Sequence, residues 1–117
     1  MELEPNNAIA LQQISDIYRR LRKYKEALNF ADRALIIEPL NVNTWLLRAD
    51  IHNLMKQPQD ALLDLDRAIK IAPRNSYAYS SRGELYCKLR RYGKIFIYLF
   101  IIYIFICIYL YIFFHYY

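Results

Sequence analysis

Glycine is almost missing from this chain, with Gly83 and Gly93 the only two among 117 residues. A glycine-rich phosphate loop, whose backbone N–H groups close on an anion, is thereby excluded. Cysteine is equally scarce: Cys87 and Cys107 stand far apart without ligand spacing, so neither a disulfide framework nor a zinc site follows. No nucleophile has a base in register and no ligand cluster occurs, so the chain is expected to be non-catalytic and free of cofactor or metal. The opening MELEPNNAIA carries two acids and lacks the basic and apolar regions of a secretory signal, so the folded part is expected to face the cytoplasm. After Lys94 there is no Asp, Glu, Lys or Arg at all.

The formal charge of +5 therefore resides in the first 94 residues, which mix both signs. So small a basic bias gives no reason to expect a nucleic-acid partner.

What the chain does contain is a repeat. Pro5, Pro39 and Pro73 are 34 residues apart and sit in the similar contexts LEPNN, IEPLN and IAPRN. Ala27 and Ala61, Asp32 and Asp66, Arg33 and Arg67, and Ala34 and Ala68 keep the same interval. Within each unit the apolar spacing is helical: Leu11, Ile14, Ile17, Tyr18 and Leu21, then Trp45, Leu46, Ala49, Ile51 and Leu54. A second helix follows a short turn, carrying Ala27, Ala31, Ala34 and Leu35, then Ala61, Leu62, Leu65, Ala68 and Ile69. Pro58 suits a first helical turn, whereas Pro39 and Pro73 stop theirs. Ser15, Ala49 and Gly83 share one first-helix position, and Ala27 and Ala61 one second-helix position, where close helix approach demands small side chains. The unit is a helical hairpin.

This pattern resembles the tetratricopeptide repeat family. Leu11, Ser15, Tyr18, Tyr24, Ala27, Ala34 and Pro39 fill it in the first unit; Trp45, Ala49, Ala61, Ala68 and Pro73 in the second; Tyr79, Gly83, Tyr86 and Tyr92 in the third, after which it fails. The resemblance implies an all-α solenoid of antiparallel hairpins, followed by an apolar segment that is helical if ordered. Residues 1–7 read as the end of a truncated preceding repeat, 8–41 and 42–75 as full units, 76–94 as the first helix and turn of an incomplete third, and 95–117 as an apolar tail. The register expects Ala at Ile95 and Ile102 and Pro at Cys107, so the chain reads as a fragment of a longer array. His52, standing where the other units have Tyr18 and Tyr86, reads as a packed or half-buried histidine, since no acid, thiol or second histidine accompanies it in register.

The tail admits three readings. Ile95 to Phe114 is 20 uncharged residues, a length that spans a bilayer, and Lys88, Arg90, Arg91 and Lys94 precede it in the sense of the positive-inside tendency. Tyr98, Tyr103, Tyr109 and Tyr111 spread through it, whereas interfacial anchoring gathers tyrosines at the ends. Alternatively the tail is a divergent helix docking on the third unit, or translated non-coding sequence, given a vocabulary of Ile, Phe, Tyr and Leu whose codons can be very rich in A and T.

The resemblance also implies a function: a scaffold that holds a partner protein's extended segment or helix in the groove lined by the first helices. The groove candidates are Gln12, Asp16, Arg20, Asn43, Leu46, Asp50, Asn53, Tyr77, Ser80 and Glu84. Asp16, Asp50 and Glu84 are 34 apart and form either an acidic ladder for a basic partner or acids paired with their own neighbours, Asp16 with Arg19 or Arg20 and Glu84 with Lys88. The clamp by which chaperone-binding members grip a C-terminal carboxylate maps onto Gln12, Asp16, Leu47, Tyr77 and Ser81, none of which keeps the required residue, so that partner is not expected. Two basic clusters, Arg19, Arg20, Arg22, Lys23 and Lys25, then Lys88, Arg90, Arg91 and Lys94, fall at the first and third turns. They are expected either to contact anionic lipid headgroups or nucleic acid or to complement helix dipoles. A membrane is a partner only through the tail.

Overall fold

The computed structural model describes residues 7–117. The register proline Pro5 and all but the last residue of the expected preceding repeat lie outside them. Five helices follow one another, α1 (Ala8–Arg20), α2 (Tyr24–Ile37), α3 (Val42–Leu54), α4 (Pro58–Ile71) and α5 (Ser76–Tyr116), with no strand among the described residues. The all-α architecture of antiparallel hairpins is thus the observed fold.

The repeated motif has a local cause. Asn7, Asn41 and Asn75 stand two residues after the three register prolines, and each starts a helix. Their side-chain Oδ1 atoms accept from the N–H of Ala10, Thr44 and Ala78 at 3.1, 3.4 and 3.1 Å, satisfying one of the donors every helix start leaves open. Pro58 occupies the first turn of α4, where no N–H is needed. Pro39 and Pro73 follow the ends of α2 and α4 and keep those helices from continuing.

The hairpin turns are closed without glycine. Arg22 and Lys56 adopt the left-handed region, with φ of 61° and 62°. Around each, two backbone bonds form the αL cap: Arg22 N–H to Arg19 C=O (3.0 Å) and Lys23 N–H to Tyr18 C=O (2.9 Å), repeated by Lys56 to Asn53 (3.1 Å) and Gln57 to His52 (2.9 Å). A non-glycine residue there costs about 1–2 kcal/mol. Packing offsets it: Ala27, Ala31, Ala61 and Ala68 are completely buried, Ser15 donates to the Ala27 carbonyl at 2.7 Å, and Ala49 is buried at the same crossing in the second hairpin.

In the third unit the expected turn does not form. Arg90 is the register equivalent of Arg22 and Lys56, yet α5 runs through it as one helix from Ser76 to Tyr116. Where Ala27 and Ala61 tuck under Ser15 and Ala49, the third unit has Ile95, whose branched side chain cannot make that approach. Without packing to offset a left-handed residue, continuing the helical hydrogen bonds is lower in free energy. The close approach expected at Gly83 is absent too, since a Cβ built there meets nothing within 4 Å.

The described residues divide into two compact units, one ending at Gly83 and the other Glu84–Tyr117. The core of the first lies between α1 and α2 and between α3 and α4. In the second, every residue from Arg91 onward is exposed.

Candidate functional site

The first helices of successive hairpins are tied side to side by polar contacts. Thr44 Oγ1 on α3 donates to Gln12 Oε1 on α1 at 3.0 Å. Arg19 on α1 reaches both ways: its Nη2 lies 2.7 Å from Asp16 Oδ1 on its own helix, and its Nη1 lies 3.0 Å from Asp50 Oδ2 on α3. Arg20 adds a second cation to Asp16 at 2.9 Å. Arg19 is consequently held charged, its pKa raised above the usual guanidinium value by the Asp16 hydrogen bond; burial opposes the rise, while the charges of Asp50 and Asp16 and the Tyr77 phenol reinforce it.

The expected pairing of Asp16 with Arg19 and Arg20 is therefore present. It extends across the repeat boundary to Asp50, so two rungs of the acidic series are bridged by one guanidinium. The expected Glu84–Lys88 pair is not formed. Gln12, Leu46 and Asn53 are half-buried and Asn43 is exposed. Tyr77 and Ser80, in the opening turns of α5, are exposed, as is Glu84 in the second unit. Of the first basic cluster, Arg19 and Arg20 are committed to Asp16, and Arg22 makes the turn; Lys23 and Lys25 face solvent. Lys88, Arg90, Arg91 and Lys94 do not mark a turn as expected, but stand exposed along the continuous α5.

A second relationship repeats at the 34-residue interval. Arg48 lies over the Trp45 ring at 5.7 Å and reaches back to Asp32 of α2 at 3.1 Å. Arg82 lies over Tyr79 at 5.4 Å and reaches back to Asp66 of α4 at 3.0 Å. Each first helix thus stacks on the preceding second helix through an aromatic-backed guanidinium and a carboxylate. Arg48 Nε is buried and makes no well-angled hydrogen bond despite its nearness to Asp32, so charge alone holds that pair.

The sequence reading missed the partner of His52. Its Nδ1 sits 2.6 Å from Asp64 Oδ2, both side chains at least nine-tenths buried, and Arg48 Nη1 approaches the other Asp64 oxygen at 3.5 Å. Burial raises the Asp64 pKa above the usual carboxylate value, and the charges of Arg48 and His52 only partly reverse it. The signal was in the register: Arg48, His52 and Asp64 replace Ile14, Tyr18 and Phe30 of the first unit, where Tyr18 and Phe30 stack with centroids 5.2 Å apart. A hollow of about 470 Å³ beside this cluster is lined by Trp45, Arg48, His52, Asp64 and Arg67 among others, and mixes both signs of charge. Among the described residues no group of three or more His, Cys, Asp or Glu could hold a metal ion.

Comparison with known proteins agrees with this geometry. Residues 8–39 match the family model described as tetratricopeptide repeat. No curated protein sequence matches the chain. Among solved structures, the fold is similar to the first TPR of Spaghetti (RPAP3) bound to the HSP90 peptide SRMEEVD, at a TM-score of 0.70 and 18% identity over 74% of this chain and 69% of that one. It is similar to the Arabidopsis OM64 TPR domain, at 0.64 and 22% over 68% and 65%, and to MamA, at 0.69 and 19% over 78% and 53%. The chain thus spans about half the length of MamA. Repeated asparagine caps and alanine-lined hairpins stacked through one register agree with the tetratricopeptide-repeat match over residues 8–39 and with the tetratricopeptide-repeat fold of these structures.

Proposed function

We propose that this chain is a non-catalytic interaction module that holds a segment of a partner protein along the joint face of α1 and α3. The observation that carries this reading is the pair of cross-helix ties, Gln12 to Thr44 and Arg19 to Asp50, which preset two first helices as one surface. A preorganised surface loses little entropy on binding. Asn43 and Asn53 supply amide groups suited to a peptide backbone, and Leu46 an apolar contact between them. Because Arg19 and Arg20 already neutralise Asp16 and Asp50, the partner segment need not be basic. Nor does the face offer a C-terminal carboxylate a free cation: Gln12 is engaged by Thr44, and Arg19 and Arg20 are committed to Asp16 and Asp50. The test is selection of peptides from a display library on the full chain, followed by affinity measurement on Leu46→Asp and Asn53→Ala. Loss of about tenfold or more supports the reading, and unchanged affinity for both variants rejects it.

A second reading, membrane tethering of the same repeats, is favoured by α5 itself. Its stretch from Ile95 to Phe114 is uncharged and helical throughout, about 30 Å long at the α-helical rise, and wholly exposed. Lys88, Arg90, Arg91 and Lys94 precede it on the same helix, as expected for a cytoplasmic flank. Retention of the full chain in the membrane pellet after carbonate extraction supports a tether; release into the supernatant excludes it.

A further inference from the structure

The side of α3 turned away from Asn43, Leu46, Asp50 and Asn53 carries a different chemistry. Trp45, Arg48 and His52 follow there at helical spacing. With residues of α4 they wall the hollow of about 470 Å³, a volume in the range of ordinary ligand pockets. In the first hairpin the same crossing is filled from within, by the Phe30 ring lying on Tyr18 with centroids 5.2 Å apart and planes 8° from parallel. The second hairpin has a carboxylate and an imidazole in those two places. It therefore holds less side-chain volume at the crossing.

The hollow also presents an unmet polar atom. His52 is buried and its Nδ1 lies 2.6 Å from Asp64 Oδ2; a neutral ring that donates there keeps a lone pair on Nε2. Nε2 has no partner among the described residues and is not sealed from solvent, so it opens where His52 lines the hollow. The charged residues of the wall balance, Arg48 and Arg67 against Asp60 and Asp64, which favours a neutral ligand over an ion. Arg48 is committed to Asp32 and Asp64. Arg67 makes no ion pair among the described residues. It lies over Trp45 at 5.8 Å, an exposed guanidinium able to stack a further ring. Leu63, 67% exposed, adds an apolar wall. A neutral aromatic group with one hydrogen-bond donor answers all of these features. We propose that the hollow is a second binding site, separate from the face of α1 and α3, that takes a tyrosine side chain of a partner protein. Its hydroxyl donates to His52 Nε2 and its ring stacks on Arg67 beside Leu63, restoring from outside the ring that the first hairpin supplies itself.

The test uses the full chain in phospholipid nanodiscs with His115→Gln, which leaves His52 as the only histidine. It follows the nitrogen-15 resonance of Nε2 and the Trp45 indole N–H. The probes are N-acetyl-tyrosinamide, its phenylalanine and tryptophan analogues, and its O-phosphorylated form. The expected result is that the tyrosine probe shifts both resonances, with Nε2 moving as for an accepted hydrogen bond, and that the phenylalanine probe binds about threefold or more weakly. Arg67→Gln should weaken the tyrosine probe by about two- to fivefold. An unmoved Nε2 overturns the proposal, as does equal affinity of the tyrosine and phenylalanine probes or unchanged affinity in Arg67→Gln. Tighter binding of the phosphorylated probe overturns it in favour of an anion site, and tighter binding of the tryptophan probe in favour of an indole.

Discussion

His52 and Asp64 meet at 2.6 Å at the same pair of repeat positions where Tyr18 and Phe30 stack in the preceding hairpin. One crossing has thus been built twice from one backbone plan, once with two aromatic rings and once with a buried imidazole and carboxylate. A buried pair of this kind gives up hydration for both groups, and its attraction repays that only when each remaining polar atom is also met. Arg48 supplies this for Asp64 from the position held by Ile14 in the first hairpin.

The three substitutions are therefore expected to act as a set. Asp64→Phe alone leaves Arg48 and His52 facing a ring, and should cost about 2–4 kcal/mol in urea unfolding. The triple variant Arg48→Ile, His52→Tyr, Asp64→Phe copies the first hairpin and should recover most of that loss. Additive losses across the three would show that the register comparison has no energetic meaning.

The same carboxylate should leave a mark on the pH profile. Its native pKa is raised from the ordinary 3.8, burial being the largest cause, so the folded state binds its proton more tightly than the unfolded chain. Between the ordinary and the raised value the native state holds more protons, and stability falls as pH rises. Asp64→Asn should remove this component of the slope in unfolding free energy measured from about pH 4 upward. An unaltered slope would place the titration elsewhere.

Arg19 is half-buried and tied to two acids, but partly open to solvent, so Arg19→Gln should cost no more than about 1 kcal/mol in stability. Its larger effect should be electrostatic. With Asp50 unpaired and Asp16 keeping only Arg20, a tetralysine probe should bind several-fold more tightly at low salt, an advantage lost near physiological ionic strength. Equal affinity in wild type and variant would mean that the guanidinium does not mask these carboxylates.

Loss of a helix cap should be measurable at each repeat. Asn41→Ala removes the bond to the Thr44 N–H and the Nδ2 contacts with Glu38 and Gln12, and should lower stability by about 1 kcal/mol, while Asn41→Asp keeps the cap acceptor and most of the stability. If both changes cost the same, the Oδ1 bond is not what matters.

Gly83 offers a further check on the third unit. Its Cβ position is open, so Gly83→Ala should raise stability by about 0.5–1 kcal/mol through helix propensity alone. A destabilised variant would reveal a helix packed over Gly83, as α4 is packed over Ala49.

Much of the hairpin plan could be read from period and residue size. The small residues at Ser15, Ala27, Ala49 and Ala61 announce a close crossing because nothing larger fits, and the prolines mark where helices stop. The caps at Asn7, Asn41 and Asn75 lie in the repeated motifs but were not read from them, because a capping bond depends on local φ and ψ as well as residue type. His52 was read correctly as packed, but its partner lies 12 residues on, across a turn, and only the pairing of α3 with α4 brings Asp64 to it. Pairing of Asp16 with its own helix was foreseeable from i, i+3 and i, i+4 spacing; the reach of Arg19 to Asp50 was not, since it depends on how two helices lie side by side.

The sequence by itself determined the repeat length, the helical type of the two full hairpins and the absence of charge from Ile95 to Phe114, because these follow from composition and period. Tertiary structure decided which residues with the same register play the same part. Ile17 and Ile51 are one position in the repeat, but a neighbouring helix covers only the second. Arg22, Lys56 and Arg90 are likewise one position, yet only the first two turn the chain, because only there does an alanine-lined helix fold back to offset the left-handed residue. A local pattern specifies what a segment can do; the packing available to it decides whether that state is the lowest in free energy.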